Sequence, residues 1–225
     1  MGYSFFAMLS RMKYIDRWAL MRNTENENLD SHSKEVAVIA HALAVIGNVR
    51  LNKSYNADRS AVLGLYHDAH EIITGDMPTP VKYQNEKILG AFKEIEDCAT
   101  ERLVSMLPDD LKTEFMSVLT GENDEELLPL VKAADKLSAL IKCIDERKAG
   151  NSEFKKAEKS TKKKILELNI EEANIFLEEF VPAYELTLDQ LWEKTPHLNK
   201  VWCFLNWKLK IKSWKLRGQA DYNYI

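Results

Sequence analysis

Leu127, Leu130, Val131, Ala134, Leu137, Leu140, Ile141 and Ile144 recur at helical spacing, and the pattern they mark runs from Glu125 to Ala149 before Gly150-Asn151 stops it. A second run of the same kind, Val36, Ile39, Ala40, Leu43 and Ala44, starts from an N-cap at Asp30 or Ser31 and is expected to end at Gly47. Only 8 glycines and 6 prolines punctuate the 225 residues, and the stretches between them are rich in the strong helix formers Ala, Leu, Glu and Lys. The chain is therefore expected to be all-α.

The other segments follow the same logic. A helix capped by Asn56 is expected to run through His67, Asp68 and Glu71 to Ile72, with Gly75 just past its end. The GDMPTP stretch, residues 75–80, forbids helix continuation and predicts a rigid loop beside that last turn. Further helices are expected from Asn85 to Leu107, stopped by Pro108, and from Asp109 to Thr120, stopped by Gly121. Two more, Glu153 to Leu168 and Ile170 to Val181, are rich in charge and are expected to pack outside the core, with Pro182 ending the second.

At 45% hydrophobic and 29% charged residues, the chain can fill one core, or one core plus an appendage. The formal net charge of -4 supplies no global field for a nucleic-acid polymer or an anionic membrane, and neither is expected as a partner. Cys98, Cys143 and Cys203 are odd in number and lack CxxC spacing, which argues against a disulfide framework and a zinc ribbon and fits a reducing cytoplasm. The apolar patch from Phe5 to Leu9 lacks the flanks of an export signal, and no uncharged run approaches the roughly 18 to 20 residues that cross a bilayer. Past about residue 191 the character changes. Trp202, Trp207 and Trp214 alternate with Lys208, Lys210, Lys212 and Lys215, and the period-two pattern from Trp207 to Lys212 suits an edge strand. The aromatic, basic composition also suits a membrane surface or single-stranded nucleic acid, against the competing reading of a disordered or loosely packed extension that contributes to an oligomer contact, and its role is left open.

Four of the five histidines, His32, His41, His67 and His70, fall in two neighbouring expected helices. A lone histidine on an apolar face is usually a packed core residue, but the adjacent pair His67-Asp68 puts a carboxylate beside an imidazole on a buried-looking helix. Asp135 poses the same problem between Ala134 and Leu137. Buried acids need a counter-charge. One cation shared by His32, His67, Asp68 and Asp135 would satisfy all of them. The donor set has no thiolate, which disfavours a structural zinc site and leaves cobalt, manganese, nickel, zinc or iron open.

These residues carry a resemblance. His32, His67-Asp68 and Asp135 resemble the H…HD…D metal signature of the HD-domain phosphohydrolases. RWALMRN (17–23), SHS (31–33), YHDAHE (66–71), GDMPTPVKY (75–83), KAADKLSALIKC (132–143), AGNSEF (149–154) and EEFVPAY (178–184) resemble the bacterial 5′-deoxynucleotidases of that superfamily. The resemblance implies an HD-domain helical bundle around a mononuclear site. It would span residues 1–190, with a metal-site core at about 30–142 and the extension at 191–225.

It further implies one divalent transition ion, with cobalt as activator and manganese or zinc as substitutes, and a homodimer acting on deoxyribonucleoside 5′-monophosphates. Under it Asp68 and Asp135 touch substrate as well as metal. Arg17 orients the 5′-phosphate as a planar, permanently charged fork, and Trp18 crowds the sugar's 2′ position. Glu71 transfers a proton or orients water. Asp76, Met77, Pro78 and Thr79 form the substrate loop, where Asp76 accepts from the 3′-hydroxyl. His70 departs from the smaller residue expected there and is assigned to solvent or a neighbouring subunit. The competing readings are another HD chemistry, on cyclic nucleotides or nucleoside triphosphates, and a non-catalytic helical module in which the ion is structural or absent.

Overall fold

The computed structural model describes residues 2–193, and among them the secondary structure is helical, without a strand; an isolated antiparallel bridge joins Asp16 to Asn28. The helices are α1 (Phe5–Leu9), α2 (Leu29–Arg50), α3 (Ala57–Tyr66), α4 (Glu71–Thr74), α5 (Thr79–Lys82), α6 (Glu86–Val104), α7 (Asp109–Thr120), α8 (Leu128–Lys148), α9 (Lys155–Glu167), α10 (Glu171–Glu179) and α11 (Leu188–Glu193). One compact unit ends at Glu185, and a second begins at Leu186, of which residues 186–193, including α11, are described. The aromatic, basic stretch with Trp202, Trp207 and Trp214, and its expected edge strand, lies outside the described residues.

The capping chemistry works much as the sequence predicts, with instructive exceptions. Asn56 and Asn85 cap α3 and α6 through their side-chain oxygens, which accept from Arg59 N and Ile88 N at 2.9 and 3.0 Å. At α2 the cap is Asn28 rather than Asp30 or Ser31, its Oδ1 accepting from Ser31 N at 2.9 Å. That helix also runs through Gly47 to Arg50. Gly47 is there for space, since a Cβ at this position would meet the Tyr55 ring at 2.7 Å and Glu172 Oε1 at 2.9 Å. The expected continuous helix from Asn56 to Ile72 breaks at His67. Ala69, Glu71, Ile72 and Ile73 donate to carbonyls three residues back instead of four, so residues 67–70 form a tightened turn before α4. The GDMPTP loop likewise holds α5, with Thr79 and Pro80 at its first positions, where a missing N–H costs nothing.

The main core packs α2, α3 and α8 together, with Val36, Leu43, Leu63, Leu130, Leu137 and Leu140 fully or almost fully buried. The two charged helices are not outside it. Ile165 of α9 and Ala173, Phe176 and Leu177 of α10 join the same core, as does Val181 in the 3₁₀ turn Val181–Glu185. Charge on their solvent faces hides a narrow apolar stripe, and burying that stripe is what docks them. Helix α10 ends at Glu179, short of Pro182. At the N-terminus, the patch from Phe5 to Leu9 forms α1. Phe5 is buried with Ala69, Leu103 and Leu107 and meets the Phe115 ring edge-on at 5.0 Å.

At Gly64 the backbone of α3 packs directly against that of α2, three residues before His67. A Cβ on Gly64 would stand 2.8 Å from Ala37 Cα and 3.0 Å from Ala37 N, which is backbone and cannot swing aside. Replacing a mid-helix glycine by alanine ordinarily gains about 1 kcal/mol of helix propensity. Here Gly64→Ala is expected to cost a net 1–3 kcal/mol or so by overpacking, read as a lower thermal midpoint. A variant more stable than the parent would show that the helices do not need this contact.

Candidate active site

The site grows from three places that the fold brings together: the first turn of α2, the turn between α3 and α4, and the middle of α8. His32 is fully buried on α2, and its Nε2 lies 3.3 Å from Asp135 Oδ1 of α8 and 3.7 Å from Asp68 Oδ2. His67 Nε2 lies 3.0 Å from the same Asp68 oxygen, and the two imidazoles are 5.3 Å apart between ring centres. Donor atoms of His32, His67 and Asp135 all fall within 4.8 Å of one another. All four expected ligands are thus neighbours, with Asp68 also accepting from Arg17 Nη1 at 3.3 Å.

The hydrogen bonds behind the histidines aim their lone pairs inward. His67 Nδ1 sits 2.8 Å from Gly64 O, and a carbonyl only accepts, so Nδ1 carries the proton and Nε2 faces the site. His32 Nδ1 lies 3.1 Å from Ser138 Oγ, whose own hydroxyl donates to Glu35 Oε2 at 2.6 Å, so Ser138 receives the Nδ1 proton. Both Nε2 atoms are buried without a hydrogen-bond partner. Burial and the nearby Arg17 charge lower the basicity of His32, which keeps it neutral. Although burial works against it, Asp68 raises the basicity of His67. Burial also opposes ionisation of the acids, yet Asp68, chiefly through His67, and Asp135, through His32 and Lys136, are held well below the usual carboxylate range. Two buried Nε2 atoms without hydrogen-bond partners, facing two ionised carboxylates, fit a divalent cation, and the N,N,O,O donor set matches.

Around this cluster stand the other expected residues. Arg17 is 10% exposed and directs Nη1 at Asp68 and Nη2 at Asp135, the latter at 4.0 Å; burial is outweighed by Asp68, Asp135, Glu27 and Asp76, and its pKa is raised. Trp18 holds a left-handed backbone at φ 61°, a conformation costing a bulky residue about 1–2 kcal/mol. Its N–H donates to Asp76 Oδ2 at 3.3 Å and its ring lies 5.3 Å from that of Phe154. Glu71 is 5% exposed, and burial together with the Asp68 and Asp76 charges pushes its carboxyl up to about 9. Met77, Pro78 and Thr79 follow Asp76 on the loop, and no side-chain hydrogen bond among the described residues ties them to the histidine–aspartate cluster. His70 turns inward rather than to solvent, with Nε2 3.4 Å from Glu96 Oε1 of α6, which also pairs with Lys82 of α5. His41 lies on an exposed part of α2 near Asp58.

Several residues that hold this arrangement escape a reading based on periodicity and motifs. Arg17 and Trp18 sit at one end of a loop closed by the Asp16–Asn28 bridge and by Arg17 N donating to Glu27 O at 2.9 Å. Glu146 of α8 accepts from Thr24 N and Glu25 N and pairs with Lys142, which also reaches Glu25 O; these donors and Asn151 hold the Glu146 carboxyl down to about 2 against burial. Asn151 donates to Arg22 O at 2.7 Å, and Glu153 accepts from Arg22 N at 3.0 Å. The RWALMRN and AGNSEF segments are therefore neighbours in space. A signal for this was present in the spacing of Asp135, Ser138, Lys142 and Glu146, which lie three, four and four residues apart and so share one face of α8.

The fold is that of HD-domain phosphohydrolases. An HD-domain phosphohydrolase from Listeria innocua superposes with a TM-score of 0.72 at 23% identity, covering 86% of this chain and 97% of that one. The cyanophage S-2L HD phosphohydrolase DatZ, solved bound to dA and one catalytic Zn2+ ion, gives 0.58 at 16% identity over 81% of this chain and 99% of that one. Residues 4–184 match the model of the family described as 5′-deoxynucleotidase YfbR-like, and the chain belongs to that family. Among its relatives, the 5′-deoxynucleotidase yfbR of Photorhabdus temperata is 46% identical over 188 residues, 83% of this chain and 95% of that protein. A 5′-deoxynucleotidase of Enterobacter sp. (strain 638) is 46% identical over 194 residues, 85% of this chain and 97% of that protein.

The Ser138 hydroxyl yields a direct test of how His32 is aimed. Ser138→Ala removes the acceptor that fixes the tautomer, and affinity for a divalent ion, titrated against a chelator, is expected to fall roughly 10- to 100-fold. Unchanged affinity would show that the orientation of His32 does not depend on this bond.

Proposed function

We propose that this chain is a metal-dependent 5′-deoxynucleotidase, hydrolysing deoxyribonucleoside 5′-monophosphates to deoxynucleoside and phosphate and disfavouring ribonucleotides. The observation that carries the reading is the placement of Arg17 against a cluster of two histidines and two aspartates, with Trp18 next to it in the chain and tied to the same Glu27 carboxylate, in a chain that belongs to the 5′-deoxynucleotidase family. The ion would be held by His32, His67, Asp68 and Asp135. When bound, it supplies positive charge to the phosphoryl oxygens and to the attacking water.

The chain's own groups do the rest. Arg17 engages Glu27 through Nε and Asp68 through Nη1, and offers Nη2 and the second N–H of Nη1 as coplanar donors matched to a phosphate. Glu71 is the proton carrier. Burial beside Asp68 and Asp76 keeps its carboxyl protonated at neutral pH, so it holds the proton that the departing sugar 5′-oxygen needs. Trp18 is the wall against a 2′-hydroxyl, and Asp76, whose Oδ2 takes the Trp18 N–H, sets where the sugar's far side meets the loop. Nothing among these side chains reads base edges, which favours weak base selectivity. A divalent transition ion fits the donor set, and the zinc of the cyanophage fold neighbour supports that class. Cobalt as the activator, a homodimeric assembly and a cytoplasmic location belong to the same reading through the family resemblance.

Phosphate release from dAMP, dTMP, AMP and UMP with added cobalt, manganese or zinc tests it. A deoxy preference of about ten- to a hundredfold is expected, since an apolar wall rejects an added hydroxyl only to that extent. Equal rates on both sugars would remove the selectivity claim, and turnover of cyclic nucleotides or triphosphates alone would replace the reaction. Glu71→Gln is expected to lower kcat roughly 10²- to 10⁴-fold with the ion still bound; full turnover would strip Glu71 of its role.

A further inference from the structure

The geometry points to Glu27 as the positioning residue that sets sugar selectivity, by tying the tryptophan wall and the arginine fork to one carboxylate oxygen. This rests on the deoxynucleotidase reading above and assigns a residue that reading does not use. Glu27 Oε2 accepts from Trp18 Nε1 at 2.7 Å and from Arg17 Nε at 3.2 Å. The backbone oxygen of the same residue accepts from Arg17 N at 2.9 Å. Its Oε1 lies 4.0 Å from His32 Nδ1, so Glu27 stands behind the cluster as well as behind the substrate side. The side chain is only 11% exposed, so few waters are at hand to take over the two donors.

Each contact constrains a different degree of freedom. An indole has one polar atom, and it reaches Glu27 only when one particular edge of the ring faces that way. Rotating the ring would leave Nε1 without this partner and turn a different outline toward the sugar. The bond therefore decides which edge of Trp18 forms the wall. On Arg17, engagement of Nε, with Nη1 held at Asp68, fixes the plane of the guanidinium and leaves Nη2 and the second N–H of Nη1 for the phosphate. Because one oxygen serves both, the separation between phosphate fork and sugar wall is set as a single length. A nucleotide reaches from its 5′-phosphate to its 2′ position, and at that distance from the fork a ribonucleotide carries the hydroxyl that a deoxyribonucleotide lacks. The left-handed backbone of Trp18, anchored on its other side by Asp76 Oδ2, keeps the ring from adjusting through the main chain.

The test is a double-mutant cycle read as the ratio of kcat/KM on dTMP to kcat/KM on UMP, using full-length, metal-loaded protein. Glu27→Ala is expected to lower that ratio by about fivefold or more, the worth of one hydrogen bond, and to raise the KM for dTMP through the loosened Arg17. Trp18→Phe removes the N–H as well, and adding Glu27→Ala to it is expected to change the ratio no further. Glu27→Gln keeps an acceptor oxygen of the same reach; it is expected to preserve the ratio while still raising KM, and it serves where the alanine variant does not fold. Equal losses on both sugars, with the ratio unchanged in Glu27→Ala, would mean a merely structural residue and overturn the proposal. So would a fully additive cycle, or loss of the ratio in Glu27→Gln. The parent enzyme, assayed first, separates the two levels: a parent without deoxy preference refutes the deoxynucleotidase selectivity itself, whereas a selective parent with an unresponsive Glu27 refutes only the assignment of Glu27.

Discussion

Asp135, Ser138, Lys142 and Glu146 form a polar stripe along a helix whose remaining inward faces are core, and most of the site depends on how that stripe is satisfied. Burying such groups without partners costs several kcal/mol each. Each has a partner from a distant part of the chain. Asp135 stands at His32 and Arg17, Ser138 bridges His32 to Glu35, and Lys142 with Glu146 holds the backbone of Thr24 and Glu25. The stripe is thus a ruler laid under the 16–28 loop. At its N-terminal end it supplies a ligand candidate, and toward its C-terminal end it fixes the loop that carries Arg17 and Trp18. The position of the arginine fork relative to the cluster is set by helix rise, about 1.5 Å per residue, rather than by loop conformation alone.

That arrangement explains how a strained residue can be kept. The left-handed backbone of Trp18 is offset by contacts to Asp76 at its backbone N–H, Glu27 at its indole nitrogen and the tilted Phe154 ring beside its own. Strain of this kind persists only when the surroundings over-determine it. Glu71 is a comparable case on the electrostatic side, a carboxyl that the fold buries next to two other acids and so keeps from ionising. Both are local misfits supported by neighbours. Both sit where the proposed reaction needs a fixed wall and a held proton.

Much of the scaffold was legible in local sequence because its signals are local. Pro108 and Gly121 bracket α7 at the residues expected, and Asn56 and Asn85 cap the helices they precede. The signals failed where contact across the fold decides. Gly47 reads as a stop but is a space for Tyr55, the turn at His67–His70 is tightened at the dipeptide that faces the cluster, and α9 and α10 hide their apolar stripes under charge. Of the eleven site residues named from pattern and resemblance, Arg17, Trp18, His32, His67, Asp68, Glu71, Asp76 and Asp135 lie near one another, whereas Met77, Pro78 and Thr79 follow on the loop with no side-chain hydrogen bond to the cluster among the described residues. Glu27, Glu35, Ser138 and Glu146 were not named. Their partners lie as many as 122 residues away, and an isolated Glu or Ser carries no motif.

The central claim is that His32, His67, Asp68 and Asp135 form one cation site, and its location is directly measurable. Crystals grown with manganese or cobalt and recorded at the metal's absorption edge should show one strong anomalous peak. The account predicts it about 2.0–2.2 Å from His32 Nε2, His67 Nε2 and a carboxylate oxygen of Asp135, with Asp68 completing the protein ligands. A fully loaded protein whose peak lies elsewhere, or no peak at saturating metal, would contradict it.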